Sequence, residues 1–148
     1  MKTLIIILII ISFLQSTILP VNLVLIILIC RAYIRPDKAN LFLAFALGLL
    51  DSHLNLTAFG FQSIIYLVTV QITESLSKSR LSGNSFLIIP ISLALLSLNQ
   101  LANLILSHQT LLILPKTVFE SLLSWPILYL VKLWEEIFIV RKEIKLKV

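Results

Sequence analysis

The sequence predicts an all-α integral membrane protein: a single polytopic domain over residues 1–148 with about six transmembrane helices. Three observations point there. Apolar residues make up 59% of the chain and charged residues only 13%, with a mean hydropathy of +1.05. A soluble domain carries about 25% charged residues, and a chain this small and this poor in charge cannot cover itself in water. Next, glycine is scarce, at 3 residues, and long Leu/Ile runs replace the short, turn-punctuated strands of a barrel. Helices satisfy their own backbone hydrogen bonds in lipid, so these runs read as helices. Finally, the basic residues segregate to one side once six spans are drawn.

The first apolar segment covers about 3–19. Met1-Lys2 followed by Thr3 to Leu14 has the charge and apolarity of a signal peptide, but no A-x-A-like site follows. Another apolar run begins directly after Pro20, so the reading is an uncleaved first helix. Pro20 ends it, because an interior proline lacks the backbone donor and clashes with the preceding turn. The second segment, 21–34, runs into Arg31, Arg35, Pro36, Asp37 and Lys38. The third, 39–56, ends in the polar stretch Asp51-Ser52-His53-Leu54-Asn55, and the fourth covers 57–76. Glu74 to Ser85 then holds Glu74, Lys78, Arg80 and the turn pair Gly83-Asn84. The fifth segment is 85–106. Ser107 to Lys116, with Pro115, separates it from the sixth, 117–139, and a basic tail over 140–148 follows.

With Lys2 inside and the spans alternating, Lys2, Arg31, Arg35, Lys38, Lys78, Arg80, Lys132, Arg141, Lys142, Lys145 and Lys147 fall on the cytoplasmic side, and Lys116 alone falls outside. That bias gives six spans with both termini cytoplasmic. The net charge of +5 is then a topology signal. It needs no nucleic-acid partner, and the inner basic rim favours anionic membrane lipids. Length adds a constraint, since about 20 residues are needed to cross about 30 Å of hydrocarbon. Val21 to Ile34 reaches roughly 21 Å and Ala39 to Leu50 roughly 18 Å. Arg31 and Arg35 are expected to snorkel to the inner surface. Asp51 and His53 are expected below the outer head groups, in a protein-lined or wet recess.

An intramembrane carboxylate is costly and marks a functional or paired site, so Asp51 leads the candidate residues. It either caps the next helix and orders the loop or contacts a ligand. Gly48, one turn before it, lets another helix approach closely. Polar residues recur on one face of several helices: Ser12, Gln15 and Ser16; Gln62, Tyr66, Thr69 and Thr73; and Ser92, Asn99 and Asn103 with Gln100 beside them. Such rows face inward and hydrogen-bond between helices, line a substrate cavity, or form a seam for a partner's membrane helix. His53 and His108 share the outer side with Asp51, but two histidines and one carboxylate on separate loops do not specify zinc, and no metal is assigned. The lone Cys30 excludes an intramolecular disulfide and reads as a small buried hydrophobe. Pro126 is expected to kink the sixth helix, Lys132 and Trp134 to anchor it at the interface, and the tail from Arg141 to Val148 to lie on the membrane surface. Glu135 and Glu136 are adjacent and point to different helix faces. There is no phosphate loop, no H-E-x-x-H and no G-x-S-x-G, so neither an enzyme nor a cofactor is expected.

The stretch Leu14-Gln15-Ser16-Thr17-Ile18-Leu19-Pro20, the short apolar run after it, Phe45-Ala46-Leu47-Gly48-Leu49-Leu50-Asp51, and Ala58-Phe59-Gly60-Phe61-Gln62 with Tyr66 together resemble the bacterial rod shape-determining protein MreD family. The resemblance covers the first half of the chain. It departs at Ala44, where the family often has glycine, and in the loop after Asp51. It implies a bundle similar to the substrate-binding components of energy-coupling-factor transporters, in the bacterial inner membrane. It also implies a non-enzymatic part of the cell-wall elongation machinery, working with an MreC-like bitopic membrane protein and through it with MreB filaments and peptidoglycan synthases. Gln15, Pro20, Gly48, Asp51 and Gly60 are the matching positions, and with Gln62, Asn99 and Asn103 they are the candidate structural or partner-docking residues. The rival reading is a substrate-binding subunit of a vitamin-type transporter, its polar rows lining a cavity.

Overall fold

A computed structural model describes residues 2–18, 21–56, 58–79, 84–107 and 113–140. Over these residues the chain is all-helical, with six α-helices and no strand: α1 (Lys2–Thr17), α2 (Leu23–Ile34), α3 (Lys38–Leu54), α4 (Phe61–Lys78), α5 (Ile88–Ser107) and α6 (Ile113–Glu135). A 3-10 turn, Ser85–Leu87, leads into α5, and a π-helical turn, Glu136–Val140, extends α6. α6 continues as one helix through Pro126.

The helices alternate in direction. Side-chain bonds join the C-terminal ends of α1, α3 and α5 to the N-terminal ends of α2, α4 and α6. Others join the C-terminal end of α2 to the N-terminal end of α3 and the C-terminal ends of α4 and α6. The bundle therefore has a Gln15 end and an Arg31 end. α3 pairs closely with α4, and α5 with α6. α2 lies between these two hairpins and touches all five other helices.

The position of α2 accounts for its length and composition. Its 12 residues, about 18 Å of helix, are almost all apolar, and Val24, Leu25, Ile26, Leu28, Ile29, Cys30 and Ala32 have no exposed surface. A helix apolar all round is a buried one. Leu8, Leu43, Ala44, Leu47, Tyr66, Val70, Leu95, Leu96 and Leu128 complete the core around it. The outside of the bundle is apolar too. Ile6, Ile10 and Phe13 on α1, Phe42 and Phe45 on α3, Ile64 and Val68 on α4, and Leu98 and Leu101 on α5 are all exposed. One helical stretch, Ser85–Ile105, is by itself long and apolar enough to cross a membrane; α1 and α2 are apolar but shorter.

Two sequence expectations change here. Arg31 does not snorkel: it lies within α2, 3% exposed, with its Nε 3.5 Å from Glu135 Oε1. Glu74 is no loop charge but a buried residue of α4. His53 is exposed while Asp51 is buried, because two residues along a helix is about 200° of rotation. Pro20, His108 and the tail from Arg141 lie outside the described residues.

Candidate functional site

The polar side chains gather into two tiers, one at each end of α2. The Gln15 end is the richer. The first N–H groups of a helix have no partner within it, and α2 starts inside the bundle without a side-chain cap of its own. Two neighbours take that role. Gln15 of α1 accepts from the Val24 N–H through Oε1 at 3.0 Å, and Glu120 of α6 accepts from the Asn22 N–H through Oε1 at 3.1 Å. Glu120 is fully buried. Its carboxylate meets the positive end of the α2 dipole, with Lys116 Nζ 4.0 Å away, one turn earlier on α6.

Gln15 also reaches the other way. Its Nε2 donates to Asp51 Oδ1 at 3.4 Å, and lies 3.5 Å from Asn22 Oδ1. Asp51 sits in the last turn of α3 and is 3% exposed. Its Oδ1 also accepts from Asn55 Nδ2 at 2.9 Å, and its Oδ2 from the hydroxyl of Tyr66, a wholly buried residue of α4, at 3.1 Å. The carboxylate thus ties α1, α3 and α4 together and holds Asn55, the residue that closes α3. It does not cap the next helix. α4 starts at Gly60, nine residues on, and Gly60 makes that start possible with a φ of 85°, a conformation costly for residues bearing a Cβ.

Gly48 is where α3 and α4 come closest. A Cβ placed on it would collide with the Ser63 Cα and lie 2.8 Å from the Ser63 nitrogen. Ser63 in turn donates to the Phe45 carbonyl at 3.2 Å. Farther round the same tier, Gln62 Nε2 donates to Asn99 Oδ1 at 3.0 Å, joining α4 to α5, and Asn103 Nδ2 lies 3.4 Å from the same oxygen. Gln100 links α5 to α6 by accepting from Thr117 at 2.9 Å, with its Nε2 3.4 Å from Glu120 Oε2. Of the residues singled out in the sequence, Gln15, Asp51, Gln62, Asn99 and Asn103 are thus brought into one tier, and Gly48 and Gly60 set the geometry of its α3–α4 wall.

The Arg31 end mirrors this arrangement with opposite sign. Arg31 stands in the last turn of α2, where a cation suits the negative end of the dipole, and Glu135 of α6 faces both Arg31 and Arg35, the latter at 3.9 Å. Ser77 donates to the Tyr33 carbonyl at 2.6 Å, and Asn40 donates to the Arg35 carbonyl at 2.7 Å and to Glu74 Oε1 at 3.2 Å. These bonds absorb carbonyls that the end of α2 leaves open.

Sequence reasoning missed Glu120, Asn40 and the Arg31–Glu135 pair. For Glu120 a signal existed: it is a carboxylate inside an apolar segment, the same rule that singled out Asp51. Among the described residues no three His, Cys, Asp or Glu side chains are grouped to hold a metal. No family model, curated protein or solved structure matches the chain. Chemically, the site is a set of interhelical ties: its carboxylates accept from side-chain amides, a hydroxyl and the Asn22 N–H.

Proposed function

We infer that this chain is a six-span protein of the bacterial inner membrane with both termini in the cytoplasm, and that it acts without catalysis as a component of the cell-wall elongation machinery. In that role it binds an MreC-like bitopic membrane protein and through it connects MreB filaments to the peptidoglycan synthases. The apolar exterior and the one-sided basic charge support the membrane reading. The observation that carries the functional reading is the Gln15–Asp51–Tyr66 junction. The residues behind the family resemblance, far apart in the chain, meet there as a structural unit, with Gly48 and Gly60 shaping the adjoining helix pair. Polar rows spent on ties between helices suit a scaffold that presents its outer faces to partners.

One observation favours the rival, a vitamin-type transporter subunit: Nδ2 of the fully buried Asn99 finds no hydrogen-bond partner among the described residues. Conditional depletion in the host separates the two. Rounding of rod-shaped cells, together with co-purification of a bitopic protein with a periplasmic domain, is the expected result. Unchanged cell shape with lost vitamin uptake would overturn the elongation reading in favour of the transporter.

A further inference from the structure

A cleft of about 610 Å³ opens on the outside of the bundle where the turn before α5 meets α6. Along α6 it is lined by Trp125, Leu128, Tyr129 and Lys132, which follow i, i+3, i+4 and i+7 and so share one face. Phe86 and Pro126 complete the wall, with the Phe86 and Trp125 rings stacked at 5.7 Å. Its volume falls within the range of small-molecule pockets, about 300–1,000 Å³. None of the residues above belongs to either polar tier.

We propose that this cleft binds an anionic phospholipid, with an acyl chain against Trp125, Leu128 and Tyr129 and the head-group phosphate on Lys132. The inference rests on the six-span reading given above. Three features select this occupant. The chemistry is graded along the cleft: apolar and aromatic at Trp125, cationic at Lys132, about 10 Å farther along the helix, which is the layout of a lipid's own chain and head group. Lys132 is exposed and makes no ion pair with a described residue, whereas the nearby Glu135 is engaged by Arg31 and Arg35. The wall is also built from bulky rings, whereas a partner's membrane helix seats best on small residues that let backbones approach. Lys132 lies at the bundle end that holds Arg31 and Arg35, and basic sites between helices at the cytoplasmic face suit anionic head groups.

The chain has 2 tryptophans, Trp125 and Trp134, so Trp134→Phe leaves Trp125 as the reporter. The protein is reconstituted in phosphatidylcholine vesicles carrying increasing fractions of acyl-brominated phosphatidylglycerol or of acyl-brominated phosphatidylcholine. The expected result is half-quenching of Trp125 at about a fivefold lower fraction of the glycerol lipid, the effect of one surface cation. Lys132→Ala should abolish the preference and Lys132→Arg should retain it. Equal quenching by both lipids overturns the proposal, as does a preference that survives Lys132→Ala. Weak quenching by every brominated lipid, with the protein still resistant to a carbonate wash, means that protein covers the cleft and also overturns it. Release of the protein by the wash would instead overturn the six-span reading on which it stands.

Discussion

Asp51 carries three donors on one carboxylate, and that arrangement decides what its removal does. Asp51→Leu would strand the wholly buried Tyr66 hydroxyl; Gln15 Nε2 would keep Asn22 Oδ1, and the exposed Asn55 amide would turn to solvent. A buried orphan costs about 1–3 kcal/mol. We expect Asp51→Leu to lower stability in detergent by about 1–3 kcal/mol on that scale, with Asp51→Asn between it and the wild type. Thermal unfolding midpoints measure this, and an Asp51→Leu protein as stable as wild type would show that the carboxylate serves a partner and not the bundle. The two glycines fail for different reasons. Gly48→Ala drives a Cβ into the Ser63 backbone, an overpacking cost of about 1–3 kcal/mol. Gly60 has open space where its Cβ would stand, and Gly60→Ala costs about 1–2 kcal/mol through its positive φ alone. Gly60→Asn should therefore recover much of the loss, since asparagine tolerates that region, while Gly48→Asn should be worse than Gly48→Ala. Equal responses at the two positions would contradict this assignment. Asp51 was legible in the sequence because a carboxylate in an apolar run stands out. Glu120 obeys the same rule but lies early in its segment, where it reads as a surface charge. Its decisive partner, the Asn22 N–H, is 98 residues away in sequence, and no local pattern exposes such a pairing.

At the scale of the element, α2 explains what length alone left open. Measured against a bilayer the second segment looks deficient, but as the central helix its ends meet other helices, and each end is completed by them. Gln15 and Glu120 serve its N-terminal donors, Arg31 and its partners its C-terminal carbonyls. The apolar run and its shortness were readable from sequence. Its centrality was not, because that depends on five other helices packing around it, and the snorkelling expected of Arg31 fails for the same reason. Breaking a buried ion pair by removing one partner costs about 3–5 kcal/mol. Glu135→Met should sit in the upper part of that range, since it withdraws the carboxylate from Arg31 in the core. Arg31→Met should cost less, because Arg35 stays within 3.9 Å of Glu135. The double variant Arg31→Met/Glu135→Met should lose less than the two single losses combined, with a coupling of about 0.5–3 kcal/mol. Strictly additive losses in chemical unfolding would mean that the pair contributes no interaction of its own.

For the whole molecule the proposed six-span reading can be put to the test, and the alternation of helix directions makes a sharp forecast. The ties at the Gln15 end place the links from α1 to α2, from α3 to α4 and from α5 to α6 on one side; Lys2, Arg31, Arg35, Lys38 and Lys78 fall at the other end. Charge segregation of this kind orients the basic end toward the cytoplasm. Alkaline phosphatase fused after Asn55, between α3 and α4, should then be active. A fusion after Arg35 or after Ser79 should be inactive in phosphatase but fluorescent as a green fluorescent protein fusion. The helices need not each span unaided, since a bundle with a buried 12-residue centre can surround its short member with longer ones, α4, α5 and α6, at about 27 to 35 Å. On the six-span reading the exterior must supply an apolar band, and Phe13, Phe42, Ile64, Leu101 and Tyr129 are exposed on five helices to do so. If the phosphatase fused after Asn55 is inactive while the one after Arg35 is active, the orientation is reversed. If every fusion behaves as cytoplasmic, the six-span reading is lost, and the apolar band must be buried against protein instead.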